Sequence, residues 1–277
     1  MGNAYEERLG TDRMLPLIFK MSLPAVAAQL VNLLYNIVDR IYIGHIPGIG
    51  TDALAGIGVT SAVIVLISSF SAIVGAGGSP LAAIALGRGN RERAGQILGN
   101  GFILLLIFTI LTSATTYLFM EPILLFTGAS ENTIGYATDY LSIYLLGTLF
   151  VELSVGLNTF INTQGRPTIA MYSVLIGAIL NIGLDPLFIF TFGMGVKGAA
   201  LATILSQACS AIWVISFLTS KKASLRLEYR YMKLHKGIIL SILALGVSPF
   251  IMASTESLVG FVLNSSLENL EISMSVH

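Results

Sequence analysis

The stretch ALAGIGVTSAVIVLISSFSAIVGAGGSPLAAIAL, residues 53–86, decides the fold class because it contains no charged side chain. About 20 consecutive apolar residues in an α-helix are enough to cross the roughly 30 Å hydrocarbon core of a bilayer. The stretch is longer than that, so it predicts a helix that spans a membrane and extends beyond the hydrocarbon.

Further apolar runs of the same kind lie on both sides of this stretch. Together they predict seven spans, at residues 15–43, 53–86, 97–120, 134–163, 168–192, 199–220 and 237–263. The predicted fold class is therefore all-α, a polytopic bundle of membrane helices. Residues 1–14 are predicted to be a polar cytoplasmic segment, residues 15–220 a six-helix unit, and residues 265–277 an atypical polar tail after a last helix at 237–264.

Composition excludes several classes of protein. Of the 277 residues only 11% are charged and 55% are hydrophobic, whereas an ordinary soluble domain carries about 25% charged residues. Fifteen basic and fifteen acidic residues give no net charge, so nucleic-acid binding has no electrostatic support. One cysteine and three scattered histidines predict neither a disulfide framework nor a metal cluster. No nucleotide-binding or hydrolase motif is present, so we expect neither an enzyme nor a cofactor.

Basic residues indicate the orientation in the membrane. With the N-terminus in the cytoplasm, all of the fifteen basic residues except Arg40 and Lys197 fall in the inner connections. Positive residues concentrate on the cytoplasmic side of membrane proteins. We therefore expect a multi-pass protein of the cell membrane, with its N-terminus inside and the end of the seventh span outside.

The connection KKASLRLEYRYMKLHK, residues 221–236, is basic and amphipathic. At helical spacing Leu225, Tyr229, Met232 and Lys236 share one face, which predicts a helix lying on the anionic inner leaflet. A site for a protein partner is the alternative function for this linker.

Five carboxylates fall inside the predicted spans, where each costs about 2.5–3.5 kcal/mol at mid-bilayer. At 1.5 Å per residue, four of them lie near one level in the outer part of the membrane, together with Thr203. Those four are Asp39, Asp139, Asp185 and Glu256, and Glu152 lies deeper and alone. A common depth predicts a carboxylate-lined cavity. The alternatives are an interfacial Asp39–Arg40 ion pair, a helix end at Asp139 and a Glu152–Asn158 pair.

Two of these polar positions share one helix face. Asn181 and Asp185 are four residues apart, and Pro186, which follows directly, cannot donate a hydrogen bond to the carbonyl of Ile182. A freed carbonyl beside a buried carboxylate and an amide predicts a bendable site that can exchange H⁺ or Na⁺.

A weak internal repeat links the first and seventh spans. Secondary transporters are often built from repeats, and an offset of 225 residues aligns three identical residues and pairs Asp39 with Asn264. The identical pairs are Pro24 with Pro249, Ala28 with Ala253 and Leu33 with Leu258. If the repeat is real, the seventh span begins a second copy of the six-helix unit.

Four motifs resemble those of the MATE (multidrug and toxic compound extrusion) transporters. They are IVDRIYIGHIPG (37–48), ALGRGNRERAGQILGNG (85–101), NTQGRP (162–167) and LNIGLDPLFIFTFGMGVKGAALATILSQ (180–207). The resemblance covers the chain from Leu15 to about Asn264. It implies a six-helix N-terminal lobe followed by the first helix of a second lobe, alternating access, and export of lipophilic or cationic compounds in exchange for Na⁺ or H⁺.

The resemblance also implies a set of functional residues. The N-lobe cation and proton site of the family maps onto Asp39, Asn181, Asp185 and Thr203, the only positions where we expect an ion, either Na⁺ or H⁺. Asn158, Asp139 and Glu256 are additional candidates for the cavity.

The length departs from this resemblance. Two repeats predict a full member of roughly 450 residues, so the resemblance implies a truncated chain that lacks most of its second lobe. The alternatives are a fragment that does not transport, and a half-transporter that needs the missing C-terminal lobe or a second copy. A flippase for lipid-linked oligosaccharides or polysaccharides is disfavoured, because the predicted outer half offers carboxylates and only Arg40 and Lys197 as cations.

Overall fold

The computed structural model describes residues 14–275, and in that part of the chain every regular element is helical. We number the helices in chain order. They are α1 (Met14–Gly44), α2 (Gly50–Gly87), α3 (Arg91–Leu118), the short α4 (Met120–Phe126), α5 (Ile134–Thr163), α6 (Pro167–Pro186), α7 (Val196–Thr219) and α8 (Lys236–Ser275). A π-helical turn (Leu187–Thr191) follows α6, and a 3₁₀ turn (Tyr229–Tyr231) precedes α8.

Seven of these helices are long and apolar enough to cross a membrane. The predicted fold class and the seven predicted spans are therefore confirmed, and α5 has the predicted bounds. Among the helix starts the largest error is that of α3, at Arg91 rather than at residue 97. The helix begins early because the Asn90 side chain accepts a hydrogen bond from the Arg93 N–H at 2.9 Å, which caps a charged first turn.

Helix α2 is the centre of the bundle and packs against α3, α5 and α8. Its crossing with α8 is close, since a Cβ atom added at Gly77 would meet the Ile242 carbonyl and one at Gly246 would meet the backbone of Ile73. Glycine permits this approach where lipid supplies no hydrophobic driving force between helices. A hydrogen bond from Ser257 Oγ to the Ala62 carbonyl, 2.6 Å long, also joins the two helices.

Helix α1 lies at the edge of the bundle and packs chiefly against α6. Its neighbour α6 ends irregularly at Pro186, as the sequence predicts. The π-helical turn follows at once, with the Phe192 N–H donating to the Leu187 carbonyl at 2.9 Å. Gly193 and Gly195 then take positive φ angles of 64° and 56°, which turns the chain into α7.

The predicted surface helix at 221–236 is wrong, because this linker is irregular apart from the 3₁₀ turn. Leu225 and Leu227 are buried against the bundle instead. Their backbone N–H groups donate to Gln164 Oε1 at 3.0 Å and to the Leu218 carbonyl at 2.9 Å. These bonds replace the helical ones, so the amphipathic pattern reflects partial burial and not a free helix.

The chain differs from the prediction at its end as well. Helix α8 continues to Ser275, so the part of the predicted polar tail from 265 to 275 is helical. Residues 1–13 of the predicted N-terminal segment and residues 276–277 of the tail lie outside the described residues.

Candidate functional site

Four of the predicted residues form one polar group between α1, α6 and α7. Asn181 and Asp185 lie on the inner face of α6, and Asn181 Nδ2 donates to Asp185 Oδ1 at 3.2 Å. The same amide contacts Thr203 Oγ1 on α7 at 3.4 Å. Asp39 on α1 lines the same cavity as Thr203, and its carboxyl group is close enough to that of Asp185 to interact with it electrostatically. We call Asp39, Asn181, Asp185 and Thr203 the polar group.

The polar group is enclosed by protein. Asp185 is fully buried, while Asn181 and Thr203 expose 2% and 9% of their surface. Asp39 is partly buried, and its neighbour Arg40 is exposed. The two side chains form no direct ion pair among the described residues, so an interfacial Asp39–Arg40 pair does not account for this carboxylate.

Three oxygen atoms of the polar group are buried and have no hydrogen-bond partner. They are Oδ1 of Asp39, Oδ1 of Asn181 and Oδ2 of Asp185. Buried acceptors of this kind are costly in a low-dielectric interior unless a donor or a cation satisfies them. Two carboxylates, an amide and a hydroxyl form an all-oxygen donor set, which suits a proton or a hard cation rather than a soft metal.

Two neighbouring cavities lie beside α1, and residues of the polar group line the first of them. One, of about 230 Å³, is lined by Asp39, Tyr140 and Thr203. The other, of about 250 Å³, is lined by Asn158 and the amides of α1. Tyr35 and Gln207 line both cavities, so the two cavities are neighbours along α1, α5 and α7.

Asn158 lies in the second cavity and not in the polar group. Its Nδ2 donates to the Ala170 carbonyl at 3.2 Å, and its Oδ1 is buried without a partner. The structure therefore places this residue where it can contribute an acceptor to the cavity wall.

The other predicted carboxylates lie elsewhere. Asp139 forms an ion pair with Lys197 at 3.2 Å, where both side chains are about half exposed. Glu256 is exposed on α8, and no hydrogen bond or ion pair connects it to the polar group. Glu152 is buried on α5 and accepts a hydrogen bond from Ser68 Oγ at 3.0 Å. A Glu152–Asn158 pair is therefore wrong.

Sequence reasoning missed three residues that border the polar group. Tyr35 on α1, Tyr140 on α5 and Gln207 on α7 line the same cavity as Asp39 and Thr203. Tyr35 and Gln207 also line the second cavity. Helical spacing could have indicated two of them, because Tyr35 precedes Asp39 by four residues and Gln207 follows Thr203 by four.

The fold and the polar group together define a class, the polytopic α-helical membrane proteins with an ionisable group inside the bundle. Such a group in a membrane is by default a functional one. The chain belongs to the MatE family, whose model matches residues 24–187. Members of this family are transporters and not enzymes, as the sequence predicts.

Individual relatives are similar over most of this chain. The multidrug export protein MepA of Staphylococcus haemolyticus is 28% identical over 243 residues, which cover 88% of this chain and 53% of that protein. An inward-facing structure of a multidrug resistance MATE family transporter matches with a TM-score of 0.79 and 27% identity, covering 90% and 56% of the two chains.

A Pyrococcus furiosus transporter of the MOP superfamily is also similar in structure, with a TM-score of 0.82 and 28% identity over 90% of this chain and 55% of that one. The binding pocket of that transporter has a reverse polarity, which suggests a different function for it. This chain spans about half of the length of the relatives it matches.

Proposed function

We propose that this chain provides the ion-coupling half of a secondary multidrug efflux transporter. It would exchange lipophilic or cationic compounds for H⁺ or Na⁺ across the cell membrane, with its N-terminus in the cytoplasm. Asp39 and Asp185 would bind the coupling ion, with Asn181 and Thr203 as neutral ligands.

The observation that carries this proposal is the set of unpartnered oxygens in the polar group. Two neighbouring carboxyl groups inside an apolar bundle repel each other when both are charged, and binding one proton or cation removes that repulsion. Three of the four residues, Asn181, Asp185 and Thr203, already hold one another through the Asn181 amide. Little reorganisation is then needed when an ion enters.

Helix α1 is the element that would respond to the ion. It contributes only Asp39 to the polar group, packs chiefly against α6 and contains Pro24, which cannot donate a helical hydrogen bond. Neutralising the carboxylate pair would draw α1 toward α6, and charging it would release α1. This movement is the bistable step that alternating access requires.

The proposal can be tested by ethidium accumulation in cells that express the chain. Asp39→Asn and Asp185→Asn remove one charge each at nearly constant volume, so both should abolish ion-driven export. Asp139→Asn is the matched control, because Asp139 pairs with Lys197 outside the polar group. Measurable ethidium export by the parent that is equalled by both polar-group variants would refute the coupling role.

A half-transporter that needs a partner is a second candidate, favoured by an exposed polar stripe on α1. Gln29, Asn32 and Asn36 are exposed along the helix at helical spacing, although amides are costly against lipid. A C-terminal lobe or a second copy would cover them. Ethidium export only after a C-terminal lobe is co-expressed would favour this candidate.

A further inference from the structure

A strongly basic cavity of about 500 Å³ lies between the start of α3 and the linker that follows α7. We call it the basic cavity. Its charged wall comes from Arg91 of α3 and, in the linker, from Lys221, Lys222, Arg226, Glu228 and Arg230. It adjoins the end of α7, whereas Thr203 of the polar group lies near the start of that helix. The two sites are therefore separate.

The charges around the basic cavity do not balance. Five basic side chains line it and Glu228 is its one acidic residue. Glu228 is engaged by Arg230 Nε at 2.6 Å and by Arg226 Nη1 at 3.9 Å. Its carboxylate cannot also neutralise the two lysines. Arg226 Nε, moreover, is buried without a hydrogen-bond partner.

The wall of the basic cavity is fixed by buried amides. Asn100, which is fully buried, donates to the Lys233 carbonyl at 3.0 Å and accepts from the His235 N–H at 2.7 Å. Gln164 holds the Leu225 N–H in the same way. Tyr231 lies against Gly95 and Gly99, where a Cβ atom would meet its ring or its backbone. The cations are thus presented by an ordered segment, which lowers the entropy cost of binding an anion.

A phosphate group matches this arrangement. Arginine forks bind phosphate oxygens with charge-assisted hydrogen bonds, and lysines add point charges. Basic pockets at the ends of membrane helices also face the headgroup layer. We propose that the basic cavity binds a phosphate group, supplied by the headgroup of an anionic phospholipid. A soluble phosphate presents the same chemistry, and the experiment separates the two sources.

The test uses the full chain purified in detergent. Binding is followed by mass spectrometry of the intact complex, with phosphatidylglycerol, phosphatidylcholine and inorganic phosphate as probes. Lys221→Gln/Lys222→Gln removes two exposed cations of the basic cavity. Lys233→Gln/Lys236→Gln is the matched control, since those exposed lysines belong to the same region but do not line the cavity.

We expect phosphatidylglycerol to bind the parent and the control chain, and to bind Lys221→Gln/Lys222→Gln at least about tenfold more weakly. Phosphatidylcholine should bind all three chains equally weakly. Inorganic phosphate could also bind more weakly to Lys221→Gln/Lys222→Gln than to the parent and displace phosphatidylglycerol. That result would support the site and would make soluble phosphate a second source of the bound phosphate group.

Equal binding of phosphatidylglycerol by the three chains would overturn the proposal. The proposal would also be overturned if the parent chain bound neither phosphatidylglycerol nor inorganic phosphate. Arg230→Gln provides a second variant if the double substitution does not fold. The Arg230 side chain is 68% exposed, so replacing it leaves the core intact, and it should weaken binding in the same direction.

Discussion

At the scale of single residues, the polar group is defined by one amide that serves two partners. The two N–H groups of Asn181 Nδ2 donate to Asp185 Oδ1 and to Thr203 Oγ1, so this amide has no donor left for the other oxygens of the polar group. The remaining oxygens of Asp39, Asn181 and Asp185 stay without partners. Buried polar networks that are only partly satisfied are unfavourable in a folded protein, and a bound proton or cation would complete this one.

Glu152 shows the contrasting case of a buried carboxyl group with a defined donor. It exposes 2% of its surface and accepts the Ser68 hydroxyl at 3.0 Å. We predict that Glu152→Gln changes the free energy of unfolding by less than about 1 kcal/mol, because the amide oxygen can accept the same hydrogen bond. Glu152→Ala should cost about 2–4 kcal/mol, since it removes both the hydrogen bond and the packed side chain.

Unfolding of the purified variants in detergent measures both effects. Ser142→Ala on the same helix is a control, because its hydroxyl bonds only to the Asp139 carbonyl one turn away. If Glu152→Gln destabilises the chain as much as Glu152→Ala does, the negative charge itself is required, and the neutral-acceptor account is wrong.

At the scale of helices, α2 and α8 can cross closely because Gly77 and Gly246 have no side chain at the crossing. We predict that Gly77→Ala destabilises the bundle by about 1–3 kcal/mol, because its Cβ meets the Ile242 carbonyl and the backbone of Gly246, which cannot rotate away. Thermal unfolding in detergent, followed by helical circular dichroism, measures the loss.

Gly58→Ala is the matched control for this substitution. Gly58 lies on the same helix, and nothing approaches within 4 Å of the position of its Cβ. Alanine is a better helix former than glycine, so this variant should be as stable as the parent or slightly more so. Equal destabilisation by both substitutions would mean that close packing does not set the geometry of the crossing.

The sequence predicts the membrane-spanning helices well, and it predicts the helix ends and the linker between α7 and α8 less well. Apolar runs locate all seven spans because the bilayer core imposes one minimum length on each of them. The predicted start of α3 is too late, since the charged turn at Arg91 lies beyond the last apolar residue and is stabilised by the Asn90 cap. The helix predicted for the linker is wrong because its pattern cannot reveal that Gln164 and Asn100, distant in sequence, bind its backbone.

The depth of a residue along its helix likewise does not determine which neighbours its side chain meets. Counting residues places Asp39, Asp139 and Asp185 at similar heights, but it does not give the direction in which each helix face points. Asp139 points to Lys197 and Asp185 to Asn181. The motif resemblance separates them, since it maps only Asp39, Asn181, Asp185 and Thr203 onto one site. Their role as ligands remains a prediction.

At the scale of the whole molecule, α1 is poorly matched to a purely lipid environment. Leu30 and Leu33 are more than half exposed, as expected for a surface that faces lipid. Gln29, Asn32 and Asn36 are also exposed on this helix, and the first two line the cavity that adjoins the polar group. One side of α1 therefore suits lipid, and another suits water or a polar partner.

This difference gives a prediction about neighbouring positions. In a Cys209→Ala background, which removes the one native cysteine, we expect Asn32→Cys to react with a membrane-impermeant maleimide in vesicles open at both faces. Leu33→Cys should react far more slowly, because thiolate formation, and hence reaction with maleimide, requires water. A disulfide between two Asn32→Cys chains would show that a second copy covers the stripe. If the two positions react at the same rate, α1 has no hydrated side, and no polar route to Asp39 opens along this helix.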